Sequence, residues 1–276
     1  MLDYLFTGGQ VLDFESNELR FIHLGIQDGK IRYLGEEKPA AKKVLELEGK
    51  IISPGFVDIH MHEEELAVTG GDYDIALAML SMGVTTAVGG NCGNNRQSIK
   101  EFIDHVDQKG SPVNYMSFVG HNSLRQRVGN NNTKRASTEK EIQQMKALLV
   151  EDLKLGAVGL SFGFEYATGA TLEEVLTLTE PFWGRKTHLL SAHYRYDADR
   201  SLEAIEEMVQ IAKKTEIPFL ISHLSSCSAF GMMEETLTMI RNYIKDEVDL
   251  AVDAYPYAAF STLIGSDVFE DGCLER

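Results

Sequence analysis

The chain has 276 residues, 43% of them hydrophobic and 25% charged, enough to bury one large core or one core with a small satellite domain. Its net charge of −16 argues against a nucleic-acid partner, whose phosphates need a basic surface, but leaves a small-molecule substrate open because a cleft can oppose the global sign. No apolar run reaches the ~18 residues of a membrane span, and Met1-Leu2-Asp3-Tyr4 lacks the basic start and apolar stretch of a secretory signal. The three cysteines, Cys92, Cys227 and Cys273, make neither a disulfide framework nor a Cys-x-x-Cys pair, so a reducing cytoplasm is expected.

Residues 1–52 alternate in the β fashion over Leu5–Gly9, Gly25–Gly35 and Val44–Leu47, with the hairpin signal Asp28-Gly29 in the middle run. A small β domain is expected there, followed by a second domain over 53–276. From residue 51 onward short apolar runs alternate with stretches of helical period, which implies parallel βα units.

The first strand is expected to end at His60, after the apolar run from Ile51 to Val57 broken by Ser53-Pro54-Gly55. His60 and His62 are two apart, so on a strand they would leave the same face side by side, spaced to share a metal ion. A helix over Tyr73–Ser81 follows, then strands over Val84–Gly89, ending in Gly90-Asn91-Cys92-Gly93, and Val113–Val119, ending in Gly120-His121-Asn122. A long helix starts at Thr138, which forms a capping box with Glu141 and buries Leu148, Leu149 and Leu153.

The fourth strand, Ala157–Phe162, ends near Glu165-Tyr166, and Thr171 with Glu174 caps the helix after it, which runs to about Trp183. Strands five and six, His188–Ala192 and Pro218–Ser222, end at His193 and His223. The helices Ser201–Lys214 and Met233–Ile244 belong to the same alternation. The seventh strand, Leu250–Ala254, leads into Tyr255-Pro256-Tyr257. Seven strands with polar C-terminal ends describe an α/β fold, a (β/α)₈ TIM-type barrel with its eighth strand missing. Either the barrel is one unit short or the chain is a fragment of a longer protein.

His60, His62, Cys92, His193 and His223 all fall at expected C-terminal strand ends, which converge in a barrel. Imidazole and thiolate are ligands that zinc favours, and a catalytic zinc acidifies a bound water. Five such residues at matching positions outweigh the alternatives of a strand cap, a solvated histidine or a small buried cysteine.

The stretch Gly55-Phe56-Val57-Asp58-Ile59-His60-Met61-His62 with Gly83-Val84-Thr85-Thr86 resembles the metal-dependent amidohydrolase superfamily. Gly90-Asn91-Cys92-Gly93, Gly159-Leu160-Ser161-Phe162-Gly163 and Asp253-Ala254-Tyr255-Pro256-Tyr257 narrow the resemblance to the N-acyl-D-amino-acid deacylase family, from the N-terminus to about Ser261. The resemblance implies hydrolysis of an N-acyl amide on a D-amino acid, with one or two zinc ions. By the same resemblance His60 and His62 are the first-strand metal pair, Cys92 is the cysteine ligand, and His193 and His223 serve the other metal position. It also implies that Tyr166, Tyr255 and Ser261 contact the substrate carboxylate, that Ser225 replaces a lysine many members carry, and that the aspartate moving the proton sits on an eighth strand. Neither Asp267 nor Asp271 matches that aspartate, so no catalytic residue is assigned.

Two further polar groups are placed by the same reading. His121-Asn122-Ser123-Leu124-Arg125 is expected to brace the metal ligands through hydrogen bonds, and Glu165 is expected to be an exposed loop carboxylate. The expected partner is a small-molecule N-acyl amino acid or related amide, with no nucleic acid and no membrane, and with room for a homo-oligomer. Two competing readings are a cyclic-amide hydrolase like dihydroorotase and an inert fragment that binds metal without turnover.

Overall fold

A computed structural model describes residues 1–13, 15–66, 70, 72–228 and 231–262. It divides the chain into two compact units, Met1–Gly55 and Phe56–Arg276. Among the described residues no helix is long and apolar enough to cross a membrane.

The first unit is all β. Strands β1 (Leu2–Thr7), β4 (His23–Gln27), β5 (Lys30–Gly35) and β6 (Ala41–Glu46) form one sheet in the order β5-β4-β1-β6. Strands β2 (Gln10–Asp13), β3 (Glu18–Arg20) and β7 (Ile51–Ile52) form another. The expected hairpin joins β4 and β5: Asp28 and Gly29 have φ of 52° and 68°, the left-handed pair that a two-residue turn between twisted strands requires. Val11, Ile22 and Leu24 form the buried cluster of this unit.

The second unit is built on parallel strands taken in chain order. They are β8 (Phe56–Asp58), β9 (Val84–Gly89), β10 (Asn114–Ser117), β11 (Val119–Gly120), β12 (Gly159–Gly163), β13 (Leu189–His193), β14 (Phe219–Ile221) and β15 (Leu250–Val252). Hydrogen-bonded neighbours run β8-β9-β10 and β11-β12-β13-β14-β15, all parallel. The third predicted strand is thus two pieces, β10 and β11, interrupted at Phe118. There Phe118 turns its N–H to Gly89 while its side chain is fully buried. Counting those pieces as one gives the seven strands expected, in the expected order. Asp267, Asp271 and Cys273 lie outside the described residues.

Helices cover this sheet: α1 (Asp74–Ser81), α2 (Ile99–Lys109), α3 (His121–Arg127), α4 (Glu139–Lys154), α5 (Leu172–Thr179), α6 (Ser201–Thr215), α7 (Leu224–Cys227) and α8 (Met233–Lys245). Three were not foreseen, among them the short α7. α2 is amphipathic and opens on a full capping box between Ser98 and Glu101, whose signal lay behind the polar run Asn94-Asn95-Arg96-Gln97. α3 begins at His121 itself, which was expected to end the third strand. The predicted box at the start of α4 is present: the Thr138 hydroxyl accepts from the Glu141 N–H, and the Glu141 carboxylate accepts from Thr138. Leu149 on α4 is fully buried, with Leu148 and Leu153 packing partly against the same core.

Thr171 does cap α5, accepting from the Glu174 N–H at 3.1 Å, but the Glu174 side chain is drawn elsewhere. It lies fully buried and takes hydrogen bonds from His121 Nε2 at 2.9 Å, from Arg125 Nη1 at 2.9 Å and from the Ser137 hydroxyl at 2.9 Å. The guanidinium is a permanent cation, so the carboxylate is ionised at its side and His121 serves as a hydrogen-bond donor. This buried knot ties α3, the 130s loop and α5 together. The core around it is continuous, with Phe162, Leu160, Leu190, Phe219 and Ile221 from the strands packed on Met145, Leu149, Val175, Met208 and Val209 from the helices.

Candidate metal centre

The strand ends bring three of the predicted ligands into one cluster. One donor atom each of His60, Cys92 and His223 lies within 4.8 Å of the other two. The Cys92 thiol is the hub: Sγ lies 3.4 Å from His60 Nε2 and 3.7 Å from His223 Nε2.

Both imidazoles are held from behind. His60 Nδ1 is 3.0 Å from a carboxylate oxygen of Asp253, and His223 Nδ1 is 3.1 Å from the Ser226 hydroxyl. With each Nδ1 engaged, each Nε2 is left to face Cys92, the arrangement in which a second partner fixes the ring that ligates a metal.

The backbone explains how Cys92 reaches this place. β9 ends at Gly89, and Gly90-Asn91-Cys92-Gly93 turns through left-handed backbone at Gly90 (φ 72°), Cys92 (φ 53°) and Gly93 (φ 77°). A Cβ at Gly90 would collide with the Phe118 carbonyl, and one at Gly93 would sit 2.7 Å from the Gly163 amide nitrogen, so both positions need glycine. Asn91 is fully buried beneath the turn; its amide donates to the carbonyls of Val88 at 2.8 Å, Ile59 at 3.2 Å and Met61 at 3.4 Å, and its oxygen accepts from Ser191 at 3.4 Å. Those carbonyls of Ile59 and Met61 flank His60. The buried Glu63 carboxylate takes the Gly90 and Arg96 N–H groups at 2.9 and 3.0 Å, holding the turn from its other side.

The His60/His62 pair differs from the expected strand geometry. β8 stops at Asp58, whose carboxylate accepts the His60 N–H at 3.0 Å, so the two histidines lie beyond the strand and not on its last residues. Their rings meet edge-on at 5.8 Å, with His62 facing the cavity and outside the three-residue cluster. The reason is local: an aspartate carboxylate that caps the next-but-one N–H competes with continued sheet pairing.

His193 arrives on the last residue of β13. It is buried, and its ring lies 4.3 Å from that of His223. Its Nε2 is 2.6 Å from Glu165, while its buried Nδ1 has no hydrogen-bond partner among the described residues. Glu165 is therefore not an exposed loop carboxylate; its side chain is 13% exposed, because the chain after β12 folds back and Glu165 N–H donates to the Tyr194 carbonyl. The expected brace from His121 is also corrected. Its ring belongs to the Glu174 knot, and the contact with the Cys92 turn runs through backbone instead, the Asn122 N–H donating to the Gly93 carbonyl at 2.8 Å.

A cavity of about 110 Å³ opens over the cluster. It is lined by His62, Cys92, His193 and His223 and by all three predicted substrate contacts, Tyr166, Tyr255 and Ser261. The Tyr166 ring packs 4.5 Å from that of His193. Burial, with the Cys92 charge adding to it, pushes the Tyr166 phenol up to about 12, so it remains a hydrogen-bond donor at neutral pH.

Charge in the site is uneven. Burial and the neighbouring His60 and His62 bring His193 down to about 3, and burial with His193 and His60 lowers His223 well below the ordinary imidazole value. For His60 burial acts in the same direction, but the Asp253 carboxylate and the Cys92 thiolate overcome it and hold the ring up to about 10. His60 is thus the cationic imidazole beside the neutral ring of His223, and a divalent cation could replace a proton there. This charge pattern, the orphaned Nδ1 of His193 and a mixed nitrogen–sulfur donor set all fit zinc.

Three groups here escaped the sequence reading: Asp253, Asn91 and Glu63. Asp253 carried a readable signal, since it sits at the C-terminal end of the seventh strand within a quoted motif. Asn91 and Glu63 carried none beyond being polar neighbours of ligands.

No family model matches the chain. It is 30% identical to a D-aminoacylase of Alcaligenes xylosoxydans xylosoxydans over 96% of its own length and 59% of that protein's. The fold superposes on a crystal structure of D-aminoacylase with a TM-score of 0.83 at 28% identity, covering 93% of this chain and 59% of that one. A crystal structure of N-acyl-D-glutamate deacylase from Bordetella bronchiseptica, complexed with zinc and a phosphonate inhibitor, gives 0.82 at 28% identity over the same shares. The barrel-type fold is thereby shared, and the chain spans about 59% of the length of the relatives it matches.

Proposed function

We propose that this homologue of the N-acyl-D-amino-acid deacylases, in the amidohydrolase superfamily, hydrolyses the amide bond of N-acyl-D-amino acids with the aid of zinc. The observation that carries the reading is the convergence of His60 Nε2 and His223 Nε2 on Cys92 Sγ at the C-terminal ends of parallel strands. The metal, when bound, would polarise the scissile carbonyl and supply hydroxide at neutral pH.

The chain's own residues set the rest. Cys92, His60 and His223 would hold the first ion, with His193 presenting its free Nδ1 and His62 available to a second ion from the cavity wall. Glu165 orients the His193 ring through its Nε2. Tyr166, protonated at neutral pH, with Tyr255 and Ser261 in the same cavity lining, would hydrogen-bond the substrate carboxylate and fix the amide over the ligands. A small-molecule N-acyl amino acid is the proposed partner. A reducing cytoplasm is the proposed compartment, which suits the free thiols of Cys92 and Cys227.

The test is direct. The purified, zinc-loaded chain is assayed on N-acetyl-D-amino acids, their L-enantiomers and cyclic amides. Turnover confined to the D-series is expected; turnover of cyclic amides alone overturns the substrate assignment in favour of a dihydroorotase-like hydrolase. Zinc bound with no turnover of any amide favours the inert fragment.

A further inference from the structure

We infer that Asp253 is the positioning residue of the metal centre, setting the ring of His60 and the backbone of His223 with one carboxylate. The inference rests on the metal-centre reading and adds a residue to it. One carboxylate oxygen lies 3.0 Å from His60 Nδ1; the other accepts the His223 N–H at 2.5 Å. Two of the three clustered donors are therefore gripped by the same side chain, one just past β8 and the other just past β14.

The geometry around Asp253 is fixed independently of the site. It is the first residue past β15. Its N–H donates to the Ile221 carbonyl at 3.2 Å and its carbonyl accepts from the Leu224 N–H at 2.9 Å. The carboxylate, 16% exposed, has little freedom to leave. β8 pairs only with β9, and β15 only with β14, among the described residues. The Asp253–His60 contact is thus a side-chain bridge between two strands that share no ladder.

Each half of the grip does something distinct. Nδ1 of His60 is engaged by the carboxylate as its hydrogen-bond acceptor, which leaves Nε2 as the nitrogen that faces Cys92 and would take the metal. At His223 the backbone is left-handed, with φ 34°, a state that costs a non-glycine residue free energy and survives only when its surroundings fix it. The N–H bond to Asp253 is the fixing contact, and it leaves the His223 ring aimed at the thiol.

The substitution Asp253→Asn separates the two halves. Its amide oxygen can still accept from the His223 N–H, but its NH₂ faces His60 Nδ1 and favours the tautomer protonated at Nε2, which cannot ligate. Zinc affinity, measured by competition with a chelating dye, is expected to fall about 10- to 100-fold. The melting temperature of the metal-free chain should stay near wild type. Affinity equal to wild type overturns the inference.

A second readout needs no metal. In ¹⁵N imidazole spectra of the wild-type chain, His60 Nδ1 should carry a proton hydrogen-bonded to a carboxylate, and Asp253→Asn should lose that signature. A His60 unprotonated at Nδ1 in the wild type overturns the inference even if the variant fails to fold. A wild type that takes up no zinc but shows the Nδ1 proton defeats the metal-centre reading and leaves the assignment of Asp253 standing.

Discussion

Cys92 and His223 meet with Sγ and Nε2 3.7 Å apart, and both do so from left-handed backbone, at φ 53° and 34°. Neither is a residue that adopts this state readily, and each costs on the order of 1–2 kcal/mol there. The strain falls on two residues of the three-residue donor cluster, which is where a fold retains it for geometry. Cys92→Ala and Cys92→Gly test the point together. Both remove the thiolate and should weaken zinc binding. The glycine variant also relieves the backbone, so without metal it should be more stable than the alanine variant by about 1 kcal/mol in urea unfolding. Equal zinc affinity in wild type and both variants would remove Cys92 from the site.

Gly90 is constrained by more than its φ of 72°, because a Cβ there would collide with the Phe118 carbonyl where strand three breaks into β10 and β11. Gly90→Ala should therefore destabilise the chain by at least about 1–2 kcal/mol. It should also lower zinc affinity, since Cys92 is two residues on in the same turn. A variant with native melting temperature and native zinc affinity would show that the turn can shift freely.

The strand-end positions of the site were legible because parallel βα units place polar residues at one end of the sheet, and five apolar runs closed on histidine or cysteine. The order of the seven strands followed from the same alternation. What stayed hidden depended on side chains that meet across long sequence gaps. Glu174 read as half of a cap, yet its carboxylate lies with His121 and Arg125, 53 and 49 residues away. Glu165 read as a loop residue because nothing near it in sequence shows that it meets His193. Asp253 lies 193 residues from His60, and only the curvature of the sheet brings them together.

The Glu174 knot has its own pH signature. Burial works against ionisation, but the His121 and Arg125 contacts hold the carboxyl down to about 2, from an ordinary 4.5. A carboxyl lowered in the folded state stabilises fully above its unfolded value, and that stability is lost as pH falls from 4.5 through about 2. Urea unfolding of the metal-free chain should thus show stability dropping over this window, and Glu174→Gln should flatten that part of the profile. At pH 7 the same variant leaves Arg125 buried without its counter-charge, a loss of about 3–5 kcal/mol. An unchanged slope would mean that other carboxylates carry the acid sensitivity.

Asn91 offers the sharpest distinction between shape and hydrogen bonding at the site. Its side-chain NH₂ serves the carbonyls of Val88, Ile59 and Met61, and its oxygen takes the Ser191 hydroxyl, all in a fully buried position. Aspartate has the same shape but, when ionised, accepts only. Asn91→Asp would point carboxylate oxygen at carbonyl oxygens on either side of His60, with no water to relieve them, or would bury a protonated acid that can donate once. Either outcome leaves buried carbonyls without donors, at about 1–3 kcal/mol each. Asn91→Ala removes the same donors without adding charge. Both variants should lower the melting temperature, Asn91→Asp further than Asn91→Ala, and both should weaken zinc binding because the backbone around His60 and the Cys92 turn lose their common anchor. If Asn91→Asp melts as the wild type does and binds zinc as tightly, the amide is not what joins the first strand to the second beneath the cluster.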